Sequence, residues 1–524
     1  MIKVSFEIAP QSDPEKAVEN IIKDSVGRDI ALGGFEIRKK SLDSRKGRNR
    51  FVYNVDVSVA QEDENEAASR LGGAVCEKEE EYSFPAPVSV PEIRPVVAGF
   101  GPAGMFASLC LSKAGYRPIV LERGRDVDTR EKDVKSFFKS GEPDENSNIQ
   151  FGEGGAGAFS DGKLNTLVRD KSFRGGFVLR ELVKAGAPKE ILYLSHPHIG
   201  TDLLRGVVKN VREEIISLGG EIAFGESLTD ITVSPEGKLS SVITQKREIK
   251  TNALFLATGQ SSEDVYKTLY RHGADMEQKP FSVGFRIEHP QSLINASQYG
   301  ENGDMRFLPP AEYKLFSHTN TGRTVYSFCM CPGGEVIAAA SERERLVTNG
   351  MSYHARSGSN ANAAILCEVL PKDLGPGLFA GFEYRKNLEK RAFELGGGRF
   401  AAPAMPLASL FGSDSAPAVC TTYPLGVKMC DLTPLFNAEM IESFRFAFKE
   451  FGKKIKGFDL PGAMLTAVES RTSSPLRIIR GDDRQSNIKG LFPLGEGAGH
   501  AGGIMSAAID GVKSAEEFVK GSII

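Results

Sequence analysis

No segment of the 524 residues approaches the roughly 18 apolar residues of a membrane span, so no transmembrane helix is expected. The N-terminal stretch MIKVSFEIAPQSDPEK has no continuous apolar core behind a basic start, so no secretory signal is expected either. Strong charge of one sign is missing too. Lys and Arg number 65 against 68 Asp and Glu, a net charge of −3. Overall charge therefore gives no pull toward nucleic acid or an anionic membrane. Tryptophan is absent. Cysteine is sparse and odd in number, at 76, 110, 329, 331, 367, 420 and 430. Without an export signal these read as reduced thiols of a cytoplasmic protein. Proline is limited to 27 and no G-X-Y period exists, which excludes a collagen-like chain. With 40% apolar and 25% charged residues, global disorder is excluded as well.

What the chain has in excess is glycine. It holds 56, about 20 more than the usual roughly 7% would give. Their placement follows the organisation of the chain. Residues 1–90 read as a small α+β module. Ile2–Ile8 alternates as a strand, Asp13-Pro14 starts a helix to about Val26, and Phe35–Lys39 and Phe51–Val59 are further strands. Glu62–Leu71 is a short helix, and Tyr82–Phe84 is a candidate closing strand, which makes the module ferredoxin-like. Residues 38–50 hold seven Lys/Arg and residues 62–81 eight Asp/Glu. The basic run reads as a solvated hairpin loop, as a dock for a phosphate-bearing partner such as RNA, or as a contact within the protein. Pro85–Pro95 reads as a linker.

A strand then runs into glycines. Val96–Ala98 leads to Gly99-Phe100-Gly101-Pro102-Ala103-Gly104, a Gly-x-Gly-x-x-Gly that opens a helix to about Ala114. Gly99 permits the tight turn, Gly101 a close backbone approach to a pyrophosphate, and Gly104 close packing of helix on strand. The helix N-terminus offers N–H donors and partial positive charge to phosphates. The second strand, Pro118–Leu121, ends at Glu122, placed to bond ribose hydroxyls and to disfavour a 2′-phosphate.

Three features favour FAD over NAD. Leu121-Glu122-Arg123-Gly124 looks like the strand ending of flavoproteins. Leu254–Gly259 (LFLATG) resembles their Ala-Thr-Gly return segment, here Thr258 and Gly259. Ile488–Glu496 (IKGLFPLGE) resembles their late strand, with Gly495 and with Glu496 where an Asp is usual. The closer segments are Phe151–Leu164 (FGEGGAGAFSDGKL), Val283–Pro290 (VGFRIEHP), Cys329–Gly334 (CMCPGG), Glu469–Pro475 (ESRTSSP) and Gly495–Gly511. On these the sequence resembles a bacterial family of uncharacterised FAD-dependent dehydrogenases, or NAD(FAD)-utilising dehydrogenases, in the glutathione-reductase-like flavoprotein group. The resemblance implies bound FAD and oxidoreductase chemistry.

Two glycine loops are candidates for the flavin's surroundings. Gly154, Gly155 and Gly157 belong to a loop whose backbone can lie flat against a ring or bond the pyrophosphate. Gly502 and Gly503 start a late helix whose N-terminus would stabilise the reduced ring's negative charge. His500 is a candidate proton donor and Arg471 a candidate clamp on an anionic substrate or the flavin edge. Cys329 and Cys331 are a candidate redox pair, or buried strand thiols. His196 and His198 lack a third ligand nearby, so no metal is expected.

The expected architecture is α/β. A Rossmann-like FAD-binding domain spans 91–275 and 481–524, with an inserted α+β substrate domain at 276–480. Within the insert, helices are expected near Ala361–Leu370, Tyr384–Leu395 and Ala438–Phe451, and strands near Phe281–Ile287 and Thr324–Ala340. The expected function is hydride transfer between flavin N5 and a small-molecule substrate. NAD(P)H is a candidate electron donor, although no second strand–GxGxxG–helix is present. The alternatives are a flavoprotein that binds or acts on RNA through the basic loop, and a non-enzymatic FAD redox sensor.

Overall fold

The structure is a computed structural model, and it describes all residues except 12, 78–80, 88–91, 167, 169, 301–302, 414–416 and 522–524. In the N-terminal module, alternating apolar residues place Ile2, Val4, Ile8, Tyr53, Val55 and Val57 on one buried face. Helices Pro14–Val26 and Glu64–Leu71 belong to the same core. Asp13 caps the first helix, its side chain accepting from the Lys16 N–H (2.9 Å). The antiparallel sheet order is Leu32–Asp43, Arg50–Val59, Ile2–Ile8, Ala74–Val75, a ferredoxin-like arrangement.

The closing strand is Ala74–Val75 and not the expected Tyr82–Phe84. Tyr82 has left the module. Its ring meets Phe177 edge-on and its hydroxyl donates to Glu516 (2.9 Å). Residues 88–91 of the expected linker lie outside the described residues. Three residues of the basic run are paired within the module. Arg38 bonds Asp56 (2.6 Å) and Glu36 (3.0 Å), Lys40 meets Glu15 (3.1 Å), and Arg45 bonds Asp43 (2.6 Å). Lys40 also exchanges backbone bonds with Tyr193 and Ser195, so this edge docks on the next domain.

The second unit is built on a five-stranded parallel sheet. Its order is Leu491–Pro493, Leu254–Leu256, Val96–Ala98, Ile119–Glu122, Glu221–Phe224. Both faces are covered, as a parallel sheet requires. Val97, Val120, Phe255 and Phe492 face the helices Pro102–Lys113 and Ile504–Gly521. Val96, Ala98, Leu121 and Leu254 face the other way. They meet helix Glu263–Arg271 and a three-stranded antiparallel sheet of Leu228–Val233, Leu239–Thr244 and Glu248–Lys250.

The third unit is a seven-stranded sheet. Its order is Phe316–His318, Thr324–Cys331, Asn360–Val369, Phe281–Pro290, Met464–Glu469, Ala402–Pro406, Val427–Met429. Helices Gln291–Tyr299, Ala380–Leu395 and Ala438–Lys454 pack with it. The segment expected as a helix at Ala361–Leu370 is the strand Asn360–Val369. It is buried along nearly its whole length and paired on both edges. A short run that is apolar on every side carries no period with which to tell a central strand from a buried helix. The chain enters and leaves this unit through one ribbon, Met276–Gln278 paired with Leu476–Ile478.

Candidate functional site

The carboxyl ends of the parallel strands open into a cavity of about 360 Å³, walled by loops of the second unit and by the end of the seven-stranded sheet. Glycine geometry builds the first wall. Gly99 turns with φ +97°, and a Cβ at Gly104 would overlap the Gly99 carbonyl oxygen. This close approach seats the helix starting at Pro102 so that Gly101, Pro102 and Ala103 line the cavity. Gly104 itself lies below the wall. Gly155 also lines the cavity, and it packs on Gly101 so closely that a Cβ there would come 3.0 Å from the Gly101 Cα. Gly157 is on the wall, whereas Gly154 lies behind it against Ala158 and Val208.

A buried arginine holds this loop. The Arg130 guanidinium, with no exposed surface, donates to the carbonyls of Asn148 (2.8 Å), Ile149 (3.0 Å), Gly152 (3.2 Å) and Glu153 (2.6 Å). Glu153 beneath it accepts from the Val127 N–H (2.7 Å) and Arg212 (3.0 Å). Burial pushes its carboxyl up to about 7, against the pull of those partners. Glu122 is on the wall, but its carboxylate also organises backbone. It accepts from the N–H groups of Phe100 (2.8 Å), Gly124 (2.9 Å) and Gly152 (2.9 Å), so it ties the two glycine loops together. Arg123 lines the cavity beside it with its guanidinium over the Phe151 ring (4.6 Å).

Two further loops complete this side. Thr258 and Gly259 follow strand Leu254–Leu256, and Gln260 donates to Glu496 (2.8 Å) and to the Arg471 carbonyl (2.7 Å). Gly495, Glu496, Gly502 and Gly503 line the cavity ahead of helix Ile504–Gly521. Burial pushes Glu496 up to about 7. A Cβ at Gly502 or Gly503 would meet nothing within 4 Å, so these positions face open space. Two helix N-termini thus present backbone N–H groups and partial positive charge to one cavity.

The opposite wall comes from the third unit: Phe328, Cys329, Asn349, Glu469, Arg471 and Thr472. Its organiser is Arg286, fully buried on strand Phe281–Pro290. Arg286 donates to Glu469 (3.2 and 3.3 Å), the Cys329 carbonyl (2.8 Å), Asn349 (2.8 Å) and Asn362 (3.2 Å). Burial pushes Glu469 up to about 7 even so, and Arg286 only partly opposes the rise. Arg286, Asn349 and Glu469 were not singled out as site residues from sequence. The signal for Arg286 and Glu469 lay in the segments Val283–Pro290 and Glu469–Pro475, which join Cys329–Gly334 here, and no such segment contains Asn349. The three segments are remote in sequence and meet around Arg286.

Two candidates stand differently from their expected roles. His500 does not line the cavity. Its Nε2 meets the Ile478 carbonyl (2.8 Å), and burial, aided by Arg480, lowers its pKa to about 4. Arg471 reaches the wall, but its guanidinium is taken up by Glu389 (2.9 and 2.7 Å), Ser341 (2.5 Å), Ser261 (3.2 Å) and Glu342 (3.3 Å). Of the paired histidines, His196 meets Glu312 (2.7 Å) and His198 the His354 carbonyl (3.1 Å).

A Clostridium beijerinckii protein, named only as an uncharacterized protein, is 46% identical over 510 residues, covering 96% of this chain and 94% of its own. Residues 280–472 match the family described as FAD-dependent protein, C-terminal domain-like. The chain belongs to one family with the Clostridium beijerinckii protein, and its 280–472 segment is of the FAD-dependent C-terminal-domain type. Among solved structures, CtdE in complex with FAD is similar at 12% identity and TM-score 0.32, over 80% of this chain and 83% of that one. L-proline dehydrogenase from P. horikoshii is similar at 13% and 0.33, over 83% and 95%. The architecture rests on the sheet order above, not on these distant superpositions.

FAD is the cofactor of the family, and the cavity suits it. The residues on the glycine-loop side have the chemistry of a dinucleotide site. They offer helix N-termini for the phosphates, and at Gly502 and Gly503 a space that a side chain would fill. The described residues contain no helix long and apolar enough to cross a membrane.

Proposed function

We propose that this family member is an FAD-dependent oxidoreductase that transfers hydride between flavin N5 and a small-molecule substrate. FAD, when bound, supplies the two-electron hydride chemistry. The observation that carries the reading is the two-sided cavity. Glycine loops with two helix N-termini form one side, and a buried polar cluster from the 280–472 region forms the other. Gly99, Gly101, Pro102, Ala103, Gly155, Gly502 and Gly503 would hold the cofactor through backbone, and Glu122 keeps the loops in register. Glu496 sits where an acid can bond the cofactor. The parallel sheet with its three-stranded companion favours a glutathione-reductase-like arrangement.

The chain's own groups then handle the proton and the substrate. Glu469 lines the cavity and has a pKa near 7, so it can hold or release a proton at neutral pH. Arg286 fixes its orientation, and Phe328 and Thr472 offer an apolar and a polar surface beside it. The third unit's wall caps the loops and limits water at the reacting centre.

Anaerobic mixing of the FAD-loaded protein with NADH, NADPH and a panel of small organic reductants tests the reading. Bleaching of the flavin band by one of them, and loss of a pH inflection near 7 in Glu469→Gln, are expected. A flavin that no donor reduces within minutes, in protein that still holds FAD, would refute catalysis.

A further inference from the structure

The wall contains a feature that hydride transfer does not need. Strand Thr324–Cys331 runs in register with Asn360–Val369 until Phe328, which pairs with Ala364. Cys331 then pairs with Asn362. Cys329 and Met330 therefore stand opposite Ala363 alone, which is a β-bulge. Cys329 takes φ +41°, a conformation rare for a residue with a Cβ. The bulge turns Cys329 onto the cavity wall while Cys331 stays buried behind it.

The Cys331 thiol donates to the Cys329 carbonyl oxygen (3.3 Å), which folds its sulfur back beside Cys329. Arg286 fixes that same carbonyl from the other side (2.8 Å). The charged groups acting on the pair are Arg286, Lys163, Asp161 and Glu469. The neighbouring Cys331 thiol, helped by Arg286 and Lys163 against the effect of burial, holds the Cys329 thiol below the ordinary thiol range. Cys329 together with burial pushes Cys331 well above it. One sulfur thus faces the cavity with its thiol shifted down, and its neighbour is buried with its thiol shifted up, the asymmetry a dithiol couple requires.

We propose that Cys329 and Cys331 form a dithiol–disulfide couple that exchanges two electrons with the FAD at this cavity. The proposal rests on the FAD site described above. In the oxidising direction, the Cys329 thiolate and Cys331 thiol form an S–S bond and the Cys331 S–H bond breaks. The two electrons and that proton are accepted by oxidised FAD, so charge and hydrogen balance. The reverse step restores the dithiol. The couple gives the protein a second two-electron store and suits a thiol or disulfide substrate.

The test uses FAD-loaded protein, titrated anaerobically with dithionite after air oxidation. Wild type should take up four electrons per FAD, and Cys329→Ser and Cys331→Ser two each. In parallel, iodoacetamide labelling without reduction is followed by trypsin. Residues 324–343 form one peptide that contains both cysteines and no other. In oxidised wild type it should be unlabelled and two hydrogens lighter, and after dithionite doubly labelled. An uptake of two electrons by wild type, with both cysteines labelled in the oxidised protein, overturns the proposal even if both variants fail to fold. Diamide-treated apoprotein separates the failures. If the chain binds no FAD, the cofactor reading fails by absorbance, while the peptide mass still reports whether the disulfide forms. A disulfide formed with diamide but not coupled to flavin uptake overturns the exchange.

Discussion

Gly502→Leu and Gly104→Ala separate two jobs of glycine in this protein. At Gly502 an added Cβ meets nothing within 4 Å, and φ there lies outside the left-handed region, so the fold has room for a side chain. The space it enters is the cavity. The apo protein should keep its stability to within about 0.5 kcal/mol, as for substitutions that disturb no packing. FAD affinity should fall at least about tenfold, ~1.4 kcal/mol, because the side chain occupies space that the cofactor needs. At Gly104 the opposite holds. The added Cβ would overlap the Gly99 carbonyl oxygen and come 3.1 Å from Gly99 C and 3.2 Å from the Ala257 Cβ. These atoms are backbone and core, so the helix must move off the sheet. Overpacking of this kind costs about 1–3 kcal/mol, more than the ~1 kcal/mol of helix propensity gained from Gly to Ala. Apo thermal melts and FAD titration by fluorescence quenching read the two effects. Undiminished FAD affinity in Gly502→Leu, with the fold intact, would refute placement of the cofactor against the late loop.

Three further outcomes follow from buried charge. The carboxyl of Glu153 rises from 4.5 to about 7, so the folded chain binds its proton more tightly than the unfolded chain. Wild type should therefore lose up to ~3 kcal/mol relative to Glu153→Gln as pH rises from about 4.5 to about 7, read from denaturant melts at each pH. Arg471→Leu leaves Glu389, 1% exposed, without its guanidinium, and should cost about 3–5 kcal/mol by urea denaturation. Unchanged stability would restore a free role for Arg471 at the cavity. His500→Gln keeps a donor for the Ile478 carbonyl, so the rate of flavin reduction and its pH profile should stay within about twofold. A tenfold loss would return His500 to the chemistry.

The local elements were legible wherever a period or a cap spoke for itself. Ile2–Ile8 and Pro14–Val26 occur as read, because alternation and an Asp-Pro start are properties of a few neighbouring residues. Asn360–Val369 was misread because its neighbours on both edges, which decide strand over helix, lie tens of residues away. Tyr82 was misread for a related reason, since its partners Phe177 and Glu516 are remote.

The sequence by itself determined the glycine-loop side of the cavity. Turns with positive φ, close helix–strand approach and helix N-termini are encoded in short glycine-rich motifs, and these need little beyond themselves. Only the tertiary structure decided the opposite wall. Arg286, Cys329 and Glu469 come from three strands, and Asn349 from a fourth, so no spacing along the chain announces that they meet. The same packing withdrew His500 from the cavity and tied up the Arg471 guanidinium. A buried group's role depends on which long-range partner satisfies its hydrogen bonds, and that partner is chosen by the fold.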